Sequence, residues 1–516
     1  MAPIPTPAPS VSESDSIRFL LDGEMVSVAE LAPTTTVLEY LREFAHRTGT
    51  KEGCAEGDCG ACTVVLGELS PDGTSVGYRA VNSCIRMLPT IDGQELITVE
   101  SLKAPDGTLH PVQQAMVDHH ASQCGFCTPG FVMSLFALYL QCEAPTRAQV
   151  LDALSGNLCR CTGYRPIIDA ALRMGVYPAP AHWSREQANS SGRAQALQAL
   201  RRERSLSVAG FDAPRSIDEL AAALEANPGA VVLAGGTDIG LWVTQQLREL
   251  ASIIYIGEVA ELKHIRRDAA GIVIGAAVSL ACGWAAIVNA YPALAELAQR
   301  FGSPPVRNSG TLCGNIANGS PIGDAMPALI ALGAQIELRR GGDTRHLPLD
   351  QFYLGYQKKD LSAGEFIVSV SVPAPRPGLR LASYKLSKRF DQDISAVCAA
   401  FAVECDGDRI TAARIAFGGM AAIPARAPAT EAALVGRPWH RDSFESAAAA
   451  LAQDFKPLTD LRASSEYRLG GAGNMLRRFY RQFASERTGS VSAVGSVSAA
   501  GAVSALRTAD LAPGAR

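Results

Sequence analysis

Short apolar runs open the chain, and helical spacing takes over after about residue 110. Ile17–Leu21 and Met25–Val28 flank Asp22-Gly23, which predicts a hairpin closed by a tight turn. Val37–Ala45 has helical spacing behind Pro33-Thr34-Thr35-Thr36, and Thr63–Leu66 and Ser75–Val81 predict strands around Pro71-Asp72-Gly73. Four helices are predicted next, over Pro111–His120, Gly130–Gln141, Thr146–Ser155 and Tyr164–Met174. The third opens with a capping box, Thr146 and Gln149. Pro178–Ser207 is rich in Pro, Ser, Gln, Arg and Ala without a β pattern, and reads as a partly helical linker. Beyond it, Val231–Leu233, Ile253–Ile256 and Gly271–Ala276 predict buried strands among helices, and Leu379–Ala484 predicts strands followed by helices. Thr488–Ala505 repeats Ser, Val, Ala and Gly and is expected to be disordered.

These changes of pattern divide the 516 residues into blocks at 16–100, 101–178, a linker at 179–207, 208–375, 379–485 and a tail at 486–516. Charge adds only exclusions. Forty-seven Lys and Arg against 51 Asp and Glu leave −4, which argues against a nucleic-acid partner. No apolar stretch reaches the roughly 18 residues of a membrane span, so no membrane association is expected. Met1–Ser10 has neither a basic start nor an apolar run, so no secretion signal is read and a cytoplasmic location is expected.

The cysteines change the picture. Nine of 13 fall between Cys54 and Cys161. Without a secretion signal, metal ligation is preferred to a disulfide framework. Cys54, Cys59, Cys62 and Cys84 have the C-x4-C-x2-C…C spacing of a plant-type [2Fe–2S] site, and Gly53, Gly57 and Gly60 let backbone N–H groups approach the sulfurs. The second set, Cys124, Cys127, Cys159 and Cys161, leaves zinc open on spacing alone. Its C-x-C pair, however, suits two thiolates reaching one iron of a dinuclear cluster.

Gln123-Cys-Gly-Phe-Cys-Thr-Pro-Gly130 and Gly156-Asn-Leu-Cys-Arg-Cys-Thr-Gly-Tyr-Arg-Pro166 resemble the second cluster domain of the xanthine oxidase family of molybdenum hydroxylases. The first cysteine set is similar to the ferredoxin-like domain that precedes it in that family. The resemblance implies one [2Fe–2S] cluster in each quartet, and places Gln123 where the family's glutamine approaches the molybdopterin of a partner.

Val231–Gly240 reads as a strand, a Gly-rich turn and a helix, and Ser309–Asn315 with Ser320–Asp324 forms a second small, polar stretch. Two such loops favour a phosphate-bearing cofactor, although G-x-G-x-x-G is absent. Both resemble the family's vanillyl-alcohol-oxidase-type FAD domain. The resemblance implies pyrophosphate contacts from Leu233, Ala234, Gly235, Gly236, Thr237, Asp238, Ile239 and Gly240. It implies further FAD contacts from Thr311, Leu312, Cys313, Gly314, Asn315 and Asp324, and assigns flavin-side positions to Phe301, Ile367 and Lys385. Tyr356, in Phe352-Tyr-Leu-Gly-Tyr356, falls where nicotinamide approaches the flavin, with a buried structural tyrosine as the alternative.

The expected fold is multidomain α+β: a ferredoxin-like β-grasp domain, a four-helix cluster domain, the FAD domain and an α+β C-terminal flavoprotein domain. This order resembles the FeS/FAD small subunits of the family's bacterial xanthine dehydrogenase branch. That implies a role passing electrons from purine oxidation on a molybdopterin-binding large subunit through two clusters to FAD and NAD, in a heterotetramer of two small and two large subunits. The alternatives are a small subunit for an aldehyde or N-heterocycle hydroxylase with a different acceptor, or a non-catalytic electron carrier.

Overall fold

Val64-Val65-Leu66 is a continuous apolar run, and the strand it forms is buried on both faces. The computed structural model describes residues 16–178, 180 and 182–487, so the leader and the tail lie outside the described residues. Strands β1 (Ile17–Leu21), β2 (Glu24–Val28), β3 (Thr63–Leu69), β4 (Val76–Asn82) and β5 (Glu95–Ile97) make one sheet in the order β2-β1-β5-β3-β4. Side chains alternate across a strand. Val65 therefore joins Tyr78 in one core, while Val64 and Leu66 join Phe19 and Leu21 in another.

Helices α1 (Pro111–Asp118), α2 (Thr128–Gln141), α3 (Arg147–Leu154) and α4 (Arg165–Arg173) pack on the Val65 side. α2 is buried from Gly130 to Tyr139, which explains a sequence with no polar face. On the Val64 side lies a second sheet, β6 (Leu206–Val208), β7 (Phe211–Ala213), β8 (Val231–Leu233) and β9 (Ile253–Tyr255), ordered β6-β7-β9-β8. It supplies Phe211, Leu233 and Ile253 to the shared core. Residues 16–220 and 230–259 thus form one compact unit, and 221–229 with 260–487 form another.

The expected linker is not one. Within it, α5 (Arg185–Ala188) and α6 (Ser191–Leu200) pack into the first unit's core through Ala188, Ala194, Leu197 and Leu200. Trp183 is fully buried, edge-on to Tyr78 and Phe136. The polar residues that suggested a linker serve specific partners. Arg193 pairs at 2.6 Å with Glu95, whose carboxyl is buried and raised by desolvation, and its guanidinium lies 3.6 Å over the Trp183 ring. A buried carboxylate needs such a cation close by.

The second unit holds a sheet ordered β10-β11-β16-β12-β13: β10 (Ile265–Arg267), β11 (Gly271–Gly275), β12 (Gln335–Arg340), β13 (Asp343–Pro348) and β16 (Phe366–Pro373). Between β13 and β16 the chain makes a small hairpin, β14 (Tyr353–Gly355) and β15 (Lys358–Lys359). A further antiparallel sheet, β17 (Arg380–Leu386), β18 (Val397–Asp406), β19 (Arg409–Gly418) and β20 (Ala425–Arg426), is covered by helices Pro428–Leu434, Arg441–Asp454 and Ser465–Arg487. Phe401, Phe417, Trp439, Phe444 and Phe479 fill the space between them. Among the described residues, no helix is long and apolar enough to cross a membrane.

Candidate functional site

The first cysteine quartet is gathered by the loop before β3 and the turn after β4. Cys62 and Cys84 are buried, Cys54 and Cys59 half-buried, and none is in a disulfide. The Cys54 thiol contacts Cys59 and Cys84, and Cys62 contacts Cys84. These contacts pull Cys54 and Cys62 below the ordinary thiol range and push Cys59 and Cys84 above it, because one sulfur donates its proton to the next. Cys54 Sγ also accepts from the amides of Glu56, Asp58 and Cys59 at 3.3–3.4 Å.

The second quartet lies at the start of α2 and in the loop between α3 and α4. Cys161 Sγ stands 3.5 Å from Cys124 Sγ, and Cys127 contacts Cys159. Burial, followed by the contact with Cys159, pushes Cys127 up to about 12. Burial also works against ionising Cys159, but hydrogen bonds led by the Thr162 hydroxyl prevail and hold its thiol down. Among the described residues, no three or more metal-ligating side chains converge on a single-ion site. In the second quartet the sulfurs fall in two contacting pairs, Cys124 with Cys161 and Cys127 with Cys159, so the partners lie across the two motifs and not within the C-x-C pair; in the first quartet they form a chain, Cys59–Cys54–Cys84–Cys62.

The two quartets are joined directly. The Leu158 amide, one residue before Cys159, donates to the Cys59 carbonyl at 2.9 Å. Asn157, fully enclosed, donates to Gly60 O at 3.1 Å and accepts from Ser134 Oγ at 2.7 Å. Gly60 has φ +70°, and a Cβ there would meet the Gly156 carbonyl and stand 2.6 Å from Asn157 Nδ2, so only glycine permits this approach. One side of the second quartet faces outward, while Cys127 is half-buried and Cys159 buried. Gln123, Cys124 and Cys161 are exposed, and Phe126 beside them is 49% exposed.

The first Gly-rich loop belongs to the same unit. β8 ends at Leu233, Gly236 turns the chain at φ +75°, and α7 (Ile239–Thr244) follows. Asp238 is half-buried in this loop, its carboxyl raised by desolvation. Gly240 packs on the backbone of Ile85, next to Cys84. A Cβ there would meet the Ile85 carbonyl and stand 2.8 Å from Ile85 Cβ. The loop and the first quartet therefore share a wall.

The remaining flavin candidates lie in the second unit. Thr311 caps α8 (Leu312–Asn318), accepting from the Gly314 amide at 3.0 Å. Leu312 and Cys313 point into the core, and burial pushes the Cys313 thiol up to about 12, so these two residues offer a ligand their backbone only. Asn315 Oδ1 is buried without a hydrogen-bond partner among the described residues, an acceptor that fits the hydroxyls of a flavin nucleotide. Asp324 pairs with Lys385 at 2.7 Å and accepts from Ser395 Oγ at 2.6 Å, a buried ionic cluster in which sequence reasoning missed the serine. Phe301 packs against Trp284, and Ile367 sits in β16 opposite Leu338; both are buried. Tyr356 is 65% exposed at the tip of the β14–β15 hairpin, so it is not the buried structural tyrosine considered as its alternative; that part is taken by Tyr353, which donates to Ile316 O at 3.1 Å.

Four family descriptions match along the chain. They are the 2Fe-2S iron-sulfur cluster binding domain over residues 19–87, the [2Fe-2S] binding domain over 98–172, the FAD binding domain in molybdopterin dehydrogenase over 207–375, and the CO dehydrogenase flavoprotein C-terminal domain over 382–483. Xanthine dehydrogenase of Emericella nidulans is 31% identical across 92% of this chain. The chain belongs to the xanthine oxidase family. Xanthine dehydrogenase 1 of Arabidopsis thaliana is likewise 31% identical, over 81% of the chain. The chain spans only 39% and 36% of the length of these two relatives. Among solved structures, quinoline 2-oxidoreductase from Pseudomonas putida 86 matches with a TM-score of 0.50 at 25% identity, covering 54% of this chain and 98% of that one. With two cluster-binding domains and an FAD-binding domain, the family member is an iron–sulfur flavoprotein of α+β multidomain fold.

Proposed function

We propose that this chain is the electron-transfer subunit of a xanthine dehydrogenase, taking electrons from purine oxidation on a molybdopterin-binding partner and delivering them to NAD. Cys124, Cys127, Cys159 and Cys161 would hold one [2Fe–2S] cluster and Cys54, Cys59, Cys62 and Cys84 the other. In the first unit Leu233–Gly240 would offer a Gly-rich loop to the FAD pyrophosphate, and in the second unit Thr311–Asn315, Asp324 and Lys385 are the other flavin-binding candidates. When bound, the clusters carry single electrons and the flavin gathers them in pairs for hydride transfer.

The observation that carries this reading is the sequence of contacts within the first unit. The outer quartet touches the inner one through Leu158 and Asn157, and the inner one shares the Ile85 backbone with the Gly-rich loop. The chain's own residues thus fix the spacing between successive sites. Gln123, on the exposed side of the outer quartet, is the residue offered to the partner. Tyr356, on an exposed hairpin, is the candidate for nicotinamide access. A heterotetramer of two small and two large subunits in the cytoplasm belongs to the same reading.

Co-expression with the molybdopterin-binding subunit tests it. Xanthine-dependent NAD reduction should appear only with both chains, and Gln123→Ala should slow it more than it slows NADH oxidation by this chain alone. Turnover with oxygen and none with NAD would refute the acceptor. A second reading, a partner acting on an N-heterocycle, is favoured by the likeness to quinoline 2-oxidoreductase. Assaying the complex with xanthine and with quinoline separates the two.

A further inference from the structure

Ala55, between the ligand candidate Cys54 and the three amides aimed at its sulfur, has φ +54°. An L-residue adopts that conformation at a cost, so something else must hold it. The holding groups come from the far end of α7, some 190 residues along the chain. Thr244 Oγ1 donates to Ala55 O at 2.6 Å, and Gln245 Nε2 donates to Cys54 O at 2.9 Å and to Ala55 O at 3.2 Å.

The consequence follows from the peptide plane. In a trans peptide the C=O and the next N–H point in opposite directions. Fixing Ala55 C=O toward α7 therefore turns the Glu56 N–H the other way, onto Cys54 Sγ, where it is found at 3.4 Å. The Asp58 and Cys59 amides follow at 3.4 and 3.3 Å. Hydrogen bonds to a ligating sulfur stabilise the more negative, reduced cluster and so raise its potential.

We propose that Thr244 and Gln245, on the helix that follows the Gly-rich loop, are positioning residues that set the redox potential of the inner iron–sulfur site. This rests on the cluster reading above. The helix then has two duties: its start belongs to the flavin loop, and its end tunes the site that exchanges electrons with it.

The test uses the full chain purified with its iron, and follows both clusters by electron paramagnetic resonance during a redox titration. Cys59→Ser identifies which signal belongs to the inner quartet. In the double variant T244V/Q245A the inner cluster should titrate at lower potential, its reduced-to-oxidised ratio at the unmodified protein's midpoint about tenfold lower, which is about 59 mV for one electron. The outer cluster should keep its midpoint. T244S, which retains the hydroxyl, should behave as the unmodified protein. Selective loss of the inner cluster from the double variant, with T244S retaining it, also supports the proposal. Q245A alone, which trims an exposed side chain, should shift the inner midpoint in the same direction by less. Unchanged midpoints with both clusters retained, or equal shifts of both, would overturn it. Absence of iron and of both signals from the unmodified protein would instead refute the cluster reading.

Discussion

Asn157→Ala probes the joint between the two cluster domains. The Asn157 amide makes a 3.1 Å bond to Gly60 O, and its carbonyl accepts from Ser134 Oγ at 2.7 Å. Gly60 O keeps two donors from Thr63, its amide at 3.2 Å and its hydroxyl at 2.7 Å, so it is not orphaned by the change. Ser134 is, and its hydroxyl is buried. A lost hydrogen bond contributes about 1 kcal/mol net, and a stranded buried donor about 1–3 kcal/mol more, so the variant should be about 3 kcal/mol less stable at this joint. Hydrogen exchange read by mass spectrometry reports such local opening without requiring two-state unfolding of the whole chain. Amides of β3 and α2 should exchange roughly a hundredfold faster, at about 1.4 kcal/mol per factor of ten. The double variant Asn157→Ala/Ser134→Ala removes the stranded hydroxyl, about 2 kcal/mol of that cost, and should recover roughly thirtyfold. Exchange unchanged in the single variant, or faster still in the double, would refute the reasoning.

Three further outcomes are expected. Burial holds His110 at about 4, below the ordinary value of about 6.5, so between those pH values the unfolded chain binds a proton that the folded chain does not. Stability should therefore be lost as pH falls from about 6.5 toward 4, by up to about 3 kcal/mol; exchange of α2 amides at pH 7 and pH 4.5 measures it, and His110→Gln should flatten the difference. Gly240→Ala would drive a methyl into the Ile85 backbone, which has no flexible end to yield, so α7 must move; flavin content after purification should fall while the outer cluster's paramagnetic signal persists. Cys59→Ser should halve the iron content and leave flavin bound, as measured by iron analysis and flavin fluorescence after acid release.

The gathering of the cysteines was legible because their spacing and small neighbours survive in a one-dimensional reading. The helix α2 was legible for a similar reason, since ten consecutive buried residues leave no polar face to misread. Residues 182–200 were not. Their few apolar positions, Trp183, Ala188, Ala194, Leu197 and Leu200, are diluted by polar side chains whose partners lie far away, as Arg193 and Glu95 show. Thr244 and Gln245 gave no local signal at all, because a hydroxyl and an amide at the end of a short helix look like surface until the carbonyls they serve are known. Asn157 stood inside a recognised motif, and only the fold reveals that it faces the other quartet.

Iron, acid-labile sulfide and flavin, measured on the chain purified alone and without oxygen, test the central claim most directly. Two dinuclear clusters and one flavin require about four iron atoms, four sulfides and one FAD per chain. Stoichiometric zinc in place of iron, or iron without flavin, would contradict it.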